Sequence, residues 1–228
     1  MTEAWLIDAC RTPRGIGKPG KGALTEIHPQ QLSATVLRAI AERNDLDTAD
    51  VDDIIWGTSA QVGTQGGDLG RMAALDAGYD ITSSGVTIDR FCGSSLTAGN
   101  LAAGMIMSGL EDVVVAGGCE MMSAASKNRA VTAFTVMDRG TLHLRQLHPQ
   151  TQQGVAADAI ATLEKIDRET VDILAAESQR RAAVAVGQAG SAVVVDARRR
   201  LPHWRVWHRG ADFRSRGRAV LPQLGAGQ

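Results

Sequence analysis

The 228 residues are 44% hydrophobic and 21% charged, the balance of a soluble globular chain long enough to bury a core. No apolar run approaches the roughly 18 residues that a membrane span needs, and Met1–Trp5 lacks the basic and apolar regions of a signal peptide. Three cysteines, an odd number spread along the chain, make no disulfide framework and point to a reducing, cytoplasmic compartment.

The net charge of −1 conceals a division. Of the 24 Lys and Arg and 25 Asp and Glu, residues 187–228 take eight Arg and only Asp196 and Asp212, which leaves residues 1–186 with 16 bases against 23 acids. So abrupt a shift marks a boundary.

In chain order, Ala4–Cys10 reads as a buried first strand, followed by a Gly/Pro/Lys loop through Gly22 whose Lys18 and Lys21 read as solvated. Pro29 to Arg43 carries Leu32, Val36, Leu37 and Ile40 at the spacing of an amphipathic helix with Pro in its first turn. Ile54–Thr58 is strand-like. The Gly-rich turn from Gln65 to Arg71 fits neither phosphate-binding spacing, and close backbone packing at a subunit or domain contact is expected of it. A helix follows over Met72–Ala77, then a strand over Val86–Ile88, a helix over Cys92–Met107 and a continuous apolar strand over Asp112–Gly118. The Cys92–Met107 segment has no charged face and is expected to be buried all round. Alternating strands and helices of this kind give an α/β fold with a largely parallel sheet.

From Ser123 the alternation stops. Residues 123–150 look irregular, and Val155–Glu164 and Arg168–Val186 read as two helices. The expected organisation is an α/β domain over residues 1–122, a more helical module over 123–186, and an Arg-rich tail over 187–228 with no sustained apolar period beyond Ala192–Val195.

Cys92 is the candidate reactive group. A β-branched run gives way to the cysteine, and small residues then continue in helical rhythm, so the thiol stands on a strand-to-helix turn. Amide N–H groups and the positive macrodipole at a helix N-terminus favour a thiolate and a better nucleophile. The alternative, a small buried hydrophobe, is the usual role of a cysteine outside a disulfide.

Three motifs carry a resemblance: Arg11-Thr12-Pro13 after the first strand, Asp89-Arg90-Phe91-Cys92-Gly93-Ser94-Ser95-Leu96, and Ala116-Gly117-Gly118-Cys119-Glu120-Met121-Met122-Ser123. In order and spacing they resemble the thiolases, acyl-CoA C-acyltransferases, from about residue 3 to about residue 186. The likeness implies a thiolase-like N-terminal half, a mixed and largely parallel sheet covered by helices. His148-Pro149-Gln150-Thr151 and Ala175–Ala182 resemble the start of the family's loop domain, which covers bound coenzyme A. The resemblance implies that Cys92 attacks a 3-oxoacyl-CoA, of fatty or other type, and holds the acyl group as a thioester. It puts His148 near the pantetheine side of the ligand, although an ordinary loop histidine is an equal reading. Acyl-CoA and coenzyme A enter as substrates, with no covalent cofactor and no metal. Arg11 and Arg71 read as structural, and Cys10 and Cys119 as packing residues.

Two positions depart from the family pattern: Asp89 stands where Asn is common and Ser95 where Gly is frequent. A carboxylate facing the thiol would oppose its ionisation. The family's second half carries a Gly-His-Pro histidine that activates the nucleophile, an acid/base cysteine and an Asn whose water aids the oxyanion. None of these motifs follows residue 186, where the only histidines are His203 and His208. The C-terminal half is therefore expected to be missing, with impaired turnover. The tail reads as disordered or as the product of a frameshift in a GC-rich gene. A catalytically silent fragment that binds acyl-CoA or a partner is the alternative. The acidic folded part and the tail's lack of a recognisable motif argue against a nucleic-acid binder. The apolar helix after Cys92 would need a cover, so a homo-oligomer or aggregation through that face is expected.

Overall fold

Every ladder of the sheet in the computed structural model is parallel, and residues far apart in the chain lie side by side in it. The chain divides into two units, Met1–Asn128 with Val194–Gln228 and Arg129–Val193; the structure describes residues 3–127, 140–188 and 219–222. In the first unit the order is β1 (Trp5–Leu6), α1 (Pro29–Asn44), β2 (Asp53–Gly57), α2 (Leu69–Ala77), β3 (Val86–Ile88), α3 (Ser94–Ser108), β4 (Val113–Gly118), α4 (Met122–Lys127) and β5 (Ala219–Pro222). The strands lie in the order β1-β5-β4-β2-β3. Ile55 stands beside Val86 on one side and Ala116 on the other.

The connections from β1 to β2 and from β2 to β3 advance in one direction across the sheet, whereas that from β3 to β4 turns back. Right-handed crossovers therefore put α1 and α2 on one face and α3 on the other. The core obeys this division. Ile54, Trp56 and Val115 pack with Leu32, Leu37, Ile40, Leu69 and Ala73, while Ile55, Val114 and Ala116 pack with Ala98, Ala102 and Ile106. Strands buried on both faces must be apolar at every position, hence the unbroken runs Ile54–Trp56 and Val113–Ala116.

Local chemistry sets the helix ends. His28 Nδ1 accepts the Gln30 N–H ahead of Pro29, and α1 closes at Asp45 in the left-handed region. The end of α1 is tied to the loop after β1, where buried Asp8 accepts from Arg43 at 2.9 Å and from Asn44 at 3.1 Å. Helix α2 begins at Leu69, earlier than the expected Met72, because Asp68 caps it and also accepts the Thr87 hydroxyl at 2.7 Å. The Gly-rich stretch runs into this helix and makes a close approach inside the unit: a Cβ on Gly70, in the first turn of α2, would lie 2.5 Å from that of Trp56 on β2. Close backbone packing is thus met at Gly70 on the sheet, while Gly67 in the same stretch has open space around it.

Other expectations shift too. Only Trp5–Leu6 of the expected Ala4–Cys10 strand is paired, with Ala219 and Val220; Ile7, Asp8 and Ala9 remain buried in the loop that follows. The segment expected to be irregular contains α4 and, in the second unit, α5 (Leu142–Leu147). Helix α3 is not buried all round. Its face of Ser94, Ala98, Ala102 and Ile106 lies on the sheet, while Leu96 and Met107 are 73% and 52% exposed, because the sheet covers one side of the helix only. Within the tail, Ala219–Pro222 is a strand between β1 and β4. The expectations for residues 189–218 and 223–228 lie outside the described residues.

The second unit has two longer helices where the periodicity predicts them, α6 (Gln153–Leu163) and α7 (Arg168–Gln188). Neither α5 nor α6 buries a residue. On α7, Glu177 pairs with Arg180 at 2.7 Å and Arg181 at 2.6 Å, exposed pairs that add little to stability. No helix among the described residues is long and apolar enough to cross a membrane.

Gly118 ends β4 against the start of α3, and a Cβ there would collide with the Ser95 hydroxyl and the Gly57 carbonyl oxygen. Gly118→Ala is expected to cost about 2 kcal/mol, lowering Tm by roughly 4–8 °C. Gly104→Ala, in the same helix but with open space around it, is expected to gain about 0.5–1 kcal/mol. Thermal melts of the two variants check the contrast; equal shifts would show that the notch at Gly118 is not tight.

Candidate active site

The carboxyl ends of β2, β3 and β4 converge on one short turn. Between β3 and α3 the chain reverses over Asp89–Gly93, and α3 starts at Ser94 with Gly93 as N-cap, two residues later than the expected Cys92. Cys92 therefore stands one residue outside the cap, and it is exposed. No side chain caps the helix, and its positive end lies next to the turn that carries the thiol. Crevices at the carboxyl ends of parallel strands are where α/β folds bind their ligands.

The turn is held by its own polar groups. Asp89 accepts the Phe91 N–H at 2.7 Å, which engages one oxygen of that carboxylate with the loop backbone. Phe91 takes the left-handed conformation, with φ at 49°, a region that side chains other than Asn and Asp seldom occupy. Gly93 donates to the Arg90 carbonyl at 3.0 Å, and Thr97 to the Gly93 carbonyl at 2.9 Å. Underneath, a Cβ on Gly57 would lie 2.6 Å from the Ser95 nitrogen and from the Ser94 carbonyl carbon. Two glycines at the strand ends thus let the helix start sit directly on the sheet.

A second cluster, which sequence reasoning did not single out, fixes the loops beside the turn. Glu120, just beyond β4, accepts from the Ser59 N–H at 2.7 Å, the Ser59 hydroxyl at 2.6 Å and the Thr58 hydroxyl at 3.3 Å. Its other oxygen accepts from Gln65 at 3.0 Å, and the Gln65 amide oxygen accepts the Met121 N–H. Gln65 is buried, so each of these groups needs its partner. The one signal in the sequence was an acidic residue two positions beyond the Gly-Gly pair that ends an apolar strand. A pocket lined by Arg14, Ile16, Leu24, Glu120 and Met122 opens beside this cluster and does not include Cys92.

The remaining sequence candidates divide clearly. Arg71 donates to the carbonyls of Ser83 and Ile81, and Arg11 to that of Thr12 at 3.1 Å, both backbone-fastening roles. Lys18 and Lys21 are exposed. His148 belongs to the second unit, where it follows α5 as its C-cap and is exposed. No cluster of His, Cys, Asp and Glu able to hold a metal ion occurs among the described residues.

A strand–turn–helix with an exposed cysteine at the carboxyl edge of a parallel sheet defines the class, an α/β domain presenting a thiol. Residues 4–194 match the family model of the thiolase N-terminal domain, and the chain belongs to that family. It is 39% identical over 193 residues to the steroid 3-ketoacyl-CoA thiolase FadA6 of Mycobacterium tuberculosis, a match covering 82% of this chain and 47% of that protein. It is 35% identical to a 3-ketoacyl-CoA thiolase of Psychrobacter cryohalolentis, over 78% of this chain and 44% of that one. With the 3-oxoadipyl-CoA/3-oxo-5,6-dehydrosuberyl-CoA thiolase of Escherichia coli it shares 39% identity over 81% of this chain and 49% of the relative. The chain spans about half the length of the curated relatives it matches.

The other two thiols are packing groups. Burial pushes the Cys119 thiol up to about 11, offset in part by the nearby Ser33 hydroxyl and assisted by the Glu120 carboxylate. Burial also raises Cys10, against the opposing pull of Arg43. Because Cys119 ionises at a higher pH folded than unfolded, its contribution to stability is complete below the ordinary thiol value of 9.0 and is lost as pH climbs towards about 11. Between those values Cys119→Ala is expected to lose stability less steeply than the parent, by at most about 1.4 kcal/mol per pH unit. Tm measured across that range checks it; parallel slopes would remove Cys119 from the alkaline transition.

Proposed function

We propose that this chain supplies the nucleophilic half of a thiolase active site, with Cys92 as the acyl-accepting thiol. One observation carries the reading: the exposed cysteine sits on a turn between a parallel strand and the positive end of a helix, inside the segment that matches the family. The thiolate sulfur attacks the 3-oxo carbon of a 3-oxoacyl-CoA. The bond between C2 and C3 breaks, its electron pair leaves on C2, and protonation there gives acetyl-CoA. The shortened acyl group stays on Cys92 as a thioester. Coenzyme A then attacks that carbonyl, the bond to Cys92 sulfur breaks, and the coenzyme A thiol proton balances the one taken up at C2.

The base for Cys92 and the acid for C2 are assigned to the second half of the family fold, since these 228 residues contain neither motif. Alone, the chain is expected to accept an acyl group and to turn over slowly, because each such group commonly contributes about 10²-fold or more. The substrate class is a 3-oxoacyl-CoA. The names of the relatives span steroid and dicarboxylic acyl groups, so the class is drawn no more narrowly. His148 is assigned to the pantetheine side of the ligand on the family resemblance, with its exposure in support.

The test is intact mass spectrometry after incubation with acetyl-CoA. The expected result is a single acetyl adduct that Cys92→Ala abolishes, with little coenzyme A-dependent thiolysis. No adduct at any pH would overturn the nucleophile in favour of a silent binding role. Sustained thiolysis by the isolated chain would overturn its dependence on the second half.

Association belongs to the same reading. Leu96, Leu101 and Met107 expose apolar surface along α3 at 73%, 46% and 52%, and a covered helix is the stable arrangement for such a face. Size-exclusion chromatography with light scattering is expected to find dimers or larger species. A clean monomer at micromolar concentration would show that the face tolerates water.

A further inference from the structure

We infer that Ser94 is the positioning residue of the nucleophile turn, acting through the backbone of Arg90 and Phe91 rather than on the substrate. The inference deepens the nucleophile reading of Cys92 and rests on it for its bearing on catalysis.

The Ser94 hydroxyl spans the base of the turn. Its oxygen accepts the Arg90 N–H at 2.9 Å and donates its own proton to the Phe91 carbonyl at 2.6 Å. The same carbonyl accepts the Ser94 N–H at 3.1 Å. One buried side chain, 4% exposed, thus closes a ring on each side of Phe91 and stands two residues from the thiol. A left-handed, non-glycine conformation persists only where its surroundings over-determine it, and here Ser94 and Asp89 supply the restraints: Ser94 holds the carbonyl of Phe91, Asp89 its N–H.

Ser94 is itself immobilised. Gly57 beneath it would, if given a Cβ, bring that atom within 2.9 Å of the Ser94 Cβ, so the serine is seated on β2 and cannot follow the turn if the turn relaxes. The hydroxyl therefore transmits the position of the sheet to the peptide before Cys92. Removing it takes the side-chain partner from the Arg90 N–H and leaves the Phe91 carbonyl held by the Ser94 N–H alone. Phe91 can then return to a right-handed conformation, which swings Cys92 relative to the helix end. Ser95, the next residue, takes no part in this ring: its hydroxyl lies against Gly118.

The experiment uses the full chain with Ser94→Ala, Ser94→Thr and Ser95→Ala. Acetylation of Cys92 by acetyl-CoA and its alkylation by iodoacetamide are followed by peptide mass spectrometry against pH, with Cys10 and Cys119 as internal references. Ser94→Ala is expected to slow acetylation of Cys92 about tenfold or more and to shift its alkylation rate relative to the reference thiols. Ser94→Thr, which keeps the hydroxyl, should restore at least part of both, and Ser95→Ala should stay within about twofold of the parent. Labelling of Cys119 by iodoacetamide reports loss of the fold and separates that from a local effect. Unchanged acetylation and alkylation of Cys92 in Ser94→Ala would overturn the proposal. If the parent itself takes no acetyl group, the nucleophile reading fails, and the alkylation series alone decides the ring: altered Cys92 alkylation in Ser94→Ala keeps it, unaltered alkylation ends it.

Discussion

The arrangement depends on how closely one helix can approach the ends of two strands. Helix α3 begins on top of Gly57 and Gly118, positions where any side chain would occupy the space of the Ser94–Ser95 backbone or the Ser95 hydroxyl. With that contact made, the small residues Ala98 and Ala102 and then Ile106 lie along Ile55, Val114 and Ala116. The chain has no room for Cys92 except on the outer rim, because the first residue of the helix is already in contact with the sheet. Exposure of the thiol thus follows from packing beneath it rather than from a loop left loose.

Rigidity at the rim comes from polar groups that have nowhere else to bond. The Glu120 carboxylate gathers the loop after β2 through Ser59 and Thr58, and Gln65 carries the restraint on to the backbone at Met121. Neighbouring loops are therefore cross-linked at the same level as the thiol. A network of this kind stabilises only when every member is satisfied, and its value lies as much in fixing one arrangement as in net energy. Asp8 does similar work after β1, holding the end of α1 through Arg43 and Asn44.

Much of the fold was legible. The spacing of Leu32, Val36, Leu37 and Ile40 gave a helix whose bounds and buried face match closely, and the apolar runs gave β2 and β4. What failed did so for physical reasons. Helix α3 has apolar residues around its whole circumference, and periodicity cannot say that only one side will find a partner. Strand β5 is four residues long and ends in Pro222; so short a run, closed by a residue without an N–H, carries little strand signal. The site was half legible. The type and neighbours of Cys92 pointed to a thiol at a turn, but nothing in the spacing reveals that Ser94 reaches back to Arg90, or that Gln65 and Glu120 meet across the sheet. Those contacts depend on the order in which the strands are laid side by side.

That order bears on how the sheet is assembled. Trp5 and Leu6 touch no strand encoded near them; their partners are Ala219 and Val220, which also line β4. The first strand made is thus joined to the sheet only through the last one described, across nearly the whole chain. Closing a loop of that size carries a large entropic cost, and contacts so distant in sequence slow folding. During synthesis, β2, β3 and β4 with their helices can pair as soon as residue 118 has emerged, while β1 waits at the margin with its backbone groups unclaimed. The sheet has an open slot for most of its birth, and an extended segment of any origin that arrived first would fit the same hydrogen-bonding pattern.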